Sequence, residues 1–493
     1  MIYRFKFSRF LFDTPKPNSF SEILTNVVFF FNKAKNSSIA LATVLFFNVI
    51  KERKNELKTR EVVWFGYNKR KVLLFKSVAV VFFFLFSTNV WASSILIPMD
   101  ADSQKNHLKA YGITYWVLTK QQKVQWLLNY RGGSFLLPDG ENIRKECQIR
   151  GVSFEVLSDD QAQGILDAIS SPSQNQEAVI LEKAPKIAVY SPKGNQPWDD
   201  AVTMVLTYAE IPYETIYDED VLEDKLVLFD WLHLHHEDFT GQYGKFYGAY
   251  RAAPWYIQQK QDAEALAEKL GYPKVSEEKR AVALKIRNYV IGGGFMFAMC
   301  SATDSFDIAL AADGVDICEP MFDNDPSDAN YQSKLNFNKT FAFTNFTLER
   351  NPMQYEFSSI DMTSKRGNIP KESDYFSLMD FSAKWDPVPT MLCQNHTALV
   401  KGFMGQTTAF DRKGVKPTVL VLGENKINSE ARYIHGVKGK GFFTFYGGHD
   451  PEDYQHRVGD PKTELELHPT SPGYRLILNN VLFPAAQKKK QKT

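Results

Sequence analysis

YVIGGGFMFAMCSATDSFDIALAA, residues 289–312, is the stretch from which the rest of the chain can be read. Its apolar run from Gly292 to Phe297, led by three glycines, has the character of a buried parallel strand. The run ends at Ala298-Met299-Cys300-Ser301-Ala302, where small residues flank a thiol. Thr303, Asp304 and Ser305 then offer N-cap oxygens to an apolar helix, Phe306 to Ala312. Strand, sharp turn, thiol and helix in that order describe a nucleophile elbow. Backbone N–H groups and a helix N-terminus beside the sulfur would favour a thiolate and could hold an oxyanion, with the N–H of Ser301 the nearest donor. The competing reading is a structural cysteine on a core strand.

Working outward, a strand–helix alternation opens at Lys186. Ile187–Tyr190 reads as a strand, Asp199 or Asp200 opens a helix through Ala209, and Tyr213–Tyr217 and Leu226–Trp231 read as the next strands. Such alternation predicts a doubly wound parallel sheet with its site at the strands' carboxyl ends. The third strand runs into LHLHHEDF, which holds His233, His235 and His236. Neighbours on an extended segment face opposite ways, so at most two of these imidazoles should converge. No metal and no other cofactor is therefore expected; the cluster reads as a polar rim where His233 and His235 could touch substrate. Residues 242–288 form an insertion with an aromatic loop that includes Trp255, suited to stacking on a ring or to filling a core, followed by helices near Gln258–Leu270 and Ser276–Tyr289. A second insertion, 313–385, reads as β-rich or irregular. From Thr390 the pattern is β: Met391–Gln394, Phe403–Phe410, Thr418–Leu422, and the pair Arg432–Val437 and Gly441–Tyr446. Ser471 caps a final helix, Pro472–Leu482, and 485–493 is a basic tail.

Ahead of this lies a small α/β region, 93–180, with strands at Ile113–Leu118, Ser134–Leu137 and Val152–Val156 and helices at Glu141–Arg150 and, capped by Ser158, Asp159–Ile169. The polar stretch 170–176 marks its boundary, and Asp100–Gly112 reads as a solvated surface. Residues 69–92 have the form of a secretory signal. Lys69, Arg70, Lys71 and Lys76 precede the apolar Ser77–Phe86, and Val90-Trp91-Ala92 suits cleavage. An uncleaved anchor is the alternative, and 1–68 reads as an upstream extension. Residues 1–92 carry 15 Lys and Arg against 5 Asp and Glu, leaving 43 against 52 in the remainder. An acidic main body argues against nucleic acid as a partner. The expected location is the periplasm or the cell surface, with membrane contact only through the signal. Cys147, Cys300, Cys318 and Cys393 are too few for a disulfide scaffold, but a Cys300–Cys318 bond would remove the nucleophile.

The strand Gly441–Tyr446 ends in GGHDPEDYQHRVGD, whose paired glycines present His449 and, three residues on, Glu452. Cys300, His449 and Glu452 thus supply a nucleophile, a base and an orienting acid, two of them at strand ends. On the elbow GGGFMFAMCSA and the closing FFTFYGGHDPED, residues 186–484 resemble the class I glutamine amidotransferase-like superfamily, in the broad sense that includes the ThuA-like branch. That resemblance implies a flavodoxin-like α/β fold, with Cys300 as nucleophile, His449 as the catalytic histidine and Glu452 as the acid. The family's G-x-C-x-G reads here A-M-C-S-A. The chain is also similar to exported Bacteroidetes-type proteins labelled asparagine synthetase B. Neither the amino-terminal cysteine nor the pyrophosphate loop of such a synthetase is present. The function expected is thiol hydrolysis of an amide or acyl bond in a small molecule, glycan or peptide. The alternative is a glycan- or peptide-binding protein without catalysis on the same fold.

Overall fold

β1 (Ser93–Ile97), β2 (Val124–Leu128), β3 (Ser134–Pro138), β4 (Glu155–Ser158) and β5 (Glu177–Leu181) pair antiparallel in the order β4-β1-β3-β2-β5. The structure is a computed structural model that describes residues 93–487 except 193, 195–197 and 367. Expectations for 1–92, for most of the basic tail and for part of the loop after Pro192 lie outside the described residues. Alternation along the strands sorts the small sheet into two faces. Leu96, Leu127 and Leu136 pack with Ala162 and Ile169 of the helix Asp159–Ser170, which starts in a capping box between Ser158 and Gln161. Ile95, Ile97, Trp126, Phe135 and Leu137 join a larger core on the opposite face.

That larger core is where the sequence reading fails first. Ile113–Leu118, expected as a strand, lies within the helix His107–Thr119. Its β-branched and aromatic residues suggest a strand, but the helix is wedged between the small sheet and the helices Ala201–Tyr208 and Pro472–Leu482. A helix covered on every side is apolar all round and loses the period that would identify it. The solvated reading of Asp100–Gly112 fails for the same reason from His107 on. His107 and Tyr111 are fully buried, and His107 stacks on His396 with ring centroids 4.4 Å apart. The expected boundary at 170–176 is a connection inside one unit. β5 returns to the small sheet beside β2, and the core below continues into the second sheet.

The second sheet holds the parallel strands β6 (Ile187–Tyr190), β7 (Glu214–Ile216), β8 (Trp231–Leu234), β9 (Phe295–Met299) and, last in the chain, β15 (Gly441–Tyr446), in the order β7-β6-β8-β9-β15. Beyond β15 it continues antiparallel through β14 (Glu430–Lys438), β13 (Leu420–Asn425), β10 (Tyr375–Leu378) and β11 (Leu399–Lys401), with β12 (Phe410–Asp411) on β14. Both faces are buried, so the parallel strands read as continuous apolar runs. β8 starts only at Trp231, because Lys225–Leu228 forms a 3-10 turn. Residues 313–374 hold short helices and turns, and the β-rich part follows them. Met391 and Leu392, expected in a strand, end the helix Pro387–Leu392. In register, Leu234 faces Ala298 and Tyr446 faces Met299, so His235, Cys300 and Gly447 leave the sheet at one edge. No helix among the described residues is long and apolar enough to cross a membrane.

Candidate active site

Cys300 stands between β9 and the helix Ala302–Ala311 with φ of +52°, in the left-handed region. For a residue with a Cβ that conformation costs about 1–2 kcal/mol and is retained where a turn must aim a side chain. The strand, left-handed turn and helix expected here are therefore present. The helix begins one turn early: Ser301 is the N-cap, and Thr303, Asp304 and Ser305 fall inside the first turns. Asp304, fully buried, accepts a hydrogen bond from the Thr407 hydroxyl at 2.9 Å. Cys300 and Ser301 line a cavity of about 310 Å³ that His236, His449, His456 and Trp198 also line.

The thiolate expected from the helix N-terminus is not the resting form. Burial pushes the Cys300 thiol up to about 12; the backbone N–H groups of Ser301 and Gln406 oppose this, and the carboxyls of Asp361 and Asp304 reinforce it. All four cysteines are free. Cys318 donates its S–H to the Thr240 carbonyl at 3.1 Å, so the threatened Cys300–Cys318 bond does not form.

His449 follows the turn after β15, with its N–H donated to the Met404 carbonyl at 3.0 Å. Neither of its ring nitrogens has a hydrogen-bond partner, although it shares the cavity with Cys300. Glu452 is not its acid. That carboxylate lies 3.2 Å from His468 Nδ1 and lines a different cavity. The intervening Pro451 and the bond from the Glu452 N–H to Asp450 turn the chain away. The carboxylate nearest His449 is Asp199, 3.9 Å from Nε2, and the same oxygen lies 3.2 Å from His456 Nε2. Burial raises the Asp199 carboxyl above its ordinary range.

The histidines divide by position. His233 on β8 and His235 just past its end meet the same carboxylate: Asp200 Oδ2 lies 3.1 Å from His233 Nε2 and 3.3 Å from His235 Nδ1. Asp200 Oδ1 meanwhile caps the helix Ala201–Tyr208, accepting from the N–H of Val202 and Thr203 at 2.8 and 2.9 Å. Burial alone would raise the Asp200 carboxyl, but the two imidazoles win and hold it well below its usual range. Past Leu234 the strand has ended, so alternation no longer applies. His235 and His236 stack at 3.8 Å, and both approach His449, with centroids 4.9 and 4.7 Å away. The expectation that adjacent imidazoles diverge is thus overturned. Burial, then the neighbouring histidines, hold His236 and His449 well below the ordinary imidazole range, and both are neutral at pH 7.

Of the residues expected to meet substrate, His233 is fully buried and Trp255 stands behind the cavity wall. Trp255 packs on Trp198 and Phe246, which do face the cavity, at 5.5 Å each. Sequence reasoning missed Asp199 and His456. The first was read only as a helix opener, and the second lies seven residues beyond His449 in a loop with no periodic pattern.

No family model and no curated protein matches the chain. Among solved structures it is similar to Cytoplasmic Protein STM3548 from Salmonella typhimurium, at 10% identity and a TM-score of 0.30, covering 62% of this chain and 100% of that one. Cytoplasmic Protein STM1381 from Salmonella typhimurium LT2 is similar at 12% identity and a TM-score of 0.31, with 61% and 100% covered. Likeness at this level carries no argument about fold or activity.

Proposed function

We propose that the chain is an exported thiol hydrolase of the glutamine amidotransferase-like type, cleaving an amide or related acyl bond in a small or peptide-like substrate. The observation that carries this is Cys300 held left-handed at a strand–helix junction, in one cavity with His449. The parallel strand order, 2-1-3-4-5 in chain sequence, supports reading the sheet as flavodoxin-like, a fold whose sites lie at the strands' carboxyl ends.

Cys300 sulfur attacks the substrate carbonyl as its proton passes to His449. The neutral resting thiol requires the two events in one step. The N–H groups of Ser301 and Gln406, which already favour negative charge at this sulfur, hold the oxyanion. The C–N bond then breaks, the imidazolium gives its proton to the departing amine, and water hydrolyses the thioester. Asp199 takes the orienting role expected of Glu452. A second reading, a ligand-binding protein without catalysis, draws on the raised thiol and on the missing hydrogen bond between Cys300 and His449.

Intact-mass analysis after exposure to p-nitrophenyl acetate separates the two. Catalysis predicts one acetyl group on Cys300, absent in Cys300→Ala and formed about 10²-fold more slowly in His449→Ala. Acetylation that favours the partly exposed Cys393, or that is indifferent to His449, leaves the binding protein.

A further inference from the structure

The imidazoles around the cavity exceed what one proton acceptor requires. We infer that His235, His236 and His449 form a site for one divalent transition-metal ion of the zinc class, with the remaining coordination position open to the cavity. One nitrogen of each lies within 4.8 Å of the other two. Three imidazoles with an open fourth position match a tetrahedral zinc site that keeps room for water. An all-imidazole donor set suits zinc, cobalt, nickel or copper over magnesium or calcium.

Two observations point to a ligand. First, the nitrogens are left without partners. Nε2 of His235 and both nitrogens of His449 lack a hydrogen bond, in side chains only 1% and 6% exposed. A buried polar atom with no partner costs about 1–3 kcal/mol, so several in one place call for something that takes them up. Second, the outer nitrogens are held as metal-binding histidines usually are. His236 Nε2 donates to the Asp199 carbonyl at 2.7 Å, which leaves Nδ1 as a lone pair. Asp200, fixed by its helix cap, stands 3.3 Å from His235 Nδ1, which leaves Nε2. Asp199 adds a buried carboxylate between His449 and His456, positioned to offset the ion's charge. His236 and His449 line the cavity, so an ion has a way in.

The inference stands apart from the hydrolase proposal. With an ion seated, the lone pair of His449 would be occupied, and the metal would acidify a water at the open position, so that the hydroxide left could take the thiol proton in place of His449.

The test strips the purified protein with EDTA and titrates it with Co²⁺ by visible absorption and with Zn²⁺ by calorimetry. The expected result is one ion per chain and the intense visible bands of four-coordinate cobalt. His235→Ala and His449→Ala should abolish both signals. Asp200→Asn, which keeps the helix cap, should weaken affinity about 10–100-fold. His468→Ala, outside the cluster, should bind as the parent does. Circular dichroism checks folding; should an imidazole variant unfold, Asp200→Asn carries the comparison. Absent stoichiometric binding by the parent, unchanged affinity in Asp200→Asn, or equal loss in His468→Ala overturns the site. Acetylation of Cys300 in the same metal-free samples reads the hydrolase proposal separately, so either can fail alone.

Discussion

Gly448 adopts φ of +100°, and a Cβ there would sit 2.6 Å from the Phe403 ring. Gly405, across the same turn, would put one 2.6 Å from the His449 amide nitrogen. These absent carbons set where His449 sits. Gly448→Ala should therefore lower stability by about 2 kcal/mol or more, the left-handed backbone alone accounting for 1–2 kcal/mol. It should also slow acetylation of Cys300, because His449 follows directly. Urea unfolding and the mass assay check the two effects. The same local chemistry made half of the site legible. A thiol between small residues at a strand's end, and a histidine after paired glycines, are signals carried by neighbours in sequence. Glu452 is suggested by its nearness in sequence and by the family resemblance, whereas Asp199 approaches His449 from the start of a helix about 250 positions earlier, a distance only the folded chain removes.

The helix Ala302–Ala311 is tied to the irregular segment after it by one side chain. Asp307, fully buried, accepts the backbone N–H groups of Phe341, Ala342 and Phe343 at 2.6, 2.7 and 2.9 Å. Three donors converging on one carboxylate do for this loop what a strand ladder would do elsewhere. Asp307→Ala strands all three and should cost about 3–5 kcal/mol, measured as a lower urea midpoint with the slope unchanged. Elements with their own punctuation could be read from sequence: Ser471 before Pro472–Leu482, Ser158 before Asp159–Ser170, and the glycine turn before Gly441–Tyr446. Those with no polar face could not. His107–Thr119 meets core on every side, and Pro387–Leu392 is six residues long and rich in residues that suit a strand as well as a helix turn.

Taken whole, the two sheets are joined by a buried polar seam. His107 Nε2 donates to the Met99 carbonyl at 3.0 Å, His396 Nδ1 accepts from Arg475 at 3.1 Å, and Arg475 reaches the carbonyls of Met99 and Gly132 from the last helix. Burial, then the Arg475 charge, lower His107 to about 2 and His396 to about 4. Both are depressed, so their contribution is complete above the unfolded value near 6.5 and is lost as pH falls toward 4 and below. Each should remove up to about 1.4 kcal/mol per pH unit in that window. Asp361, raised by burial to about 6, titrates in the opposite sense, so the comparison is made between proteins. Thermal unfolding should lose less stability between pH 6.5 and 4.5 in His107→Gln/His396→Gln than in the parent. The seam is completed by residues 472–487: the backbone N–H of Glu182 donates to the Ala485 carbonyl and that of Gln487 to the Ile180 carbonyl, both at 2.8 Å, beside the helix Pro472–Leu482. The helix His107–Thr119, which covers the inner face of the small sheet, thus leaves the ribosome with its own far flank bare, because Pro472–Leu482 packs there. That flank cannot close until the final helix has emerged, so the order of synthesis is not the order of folding.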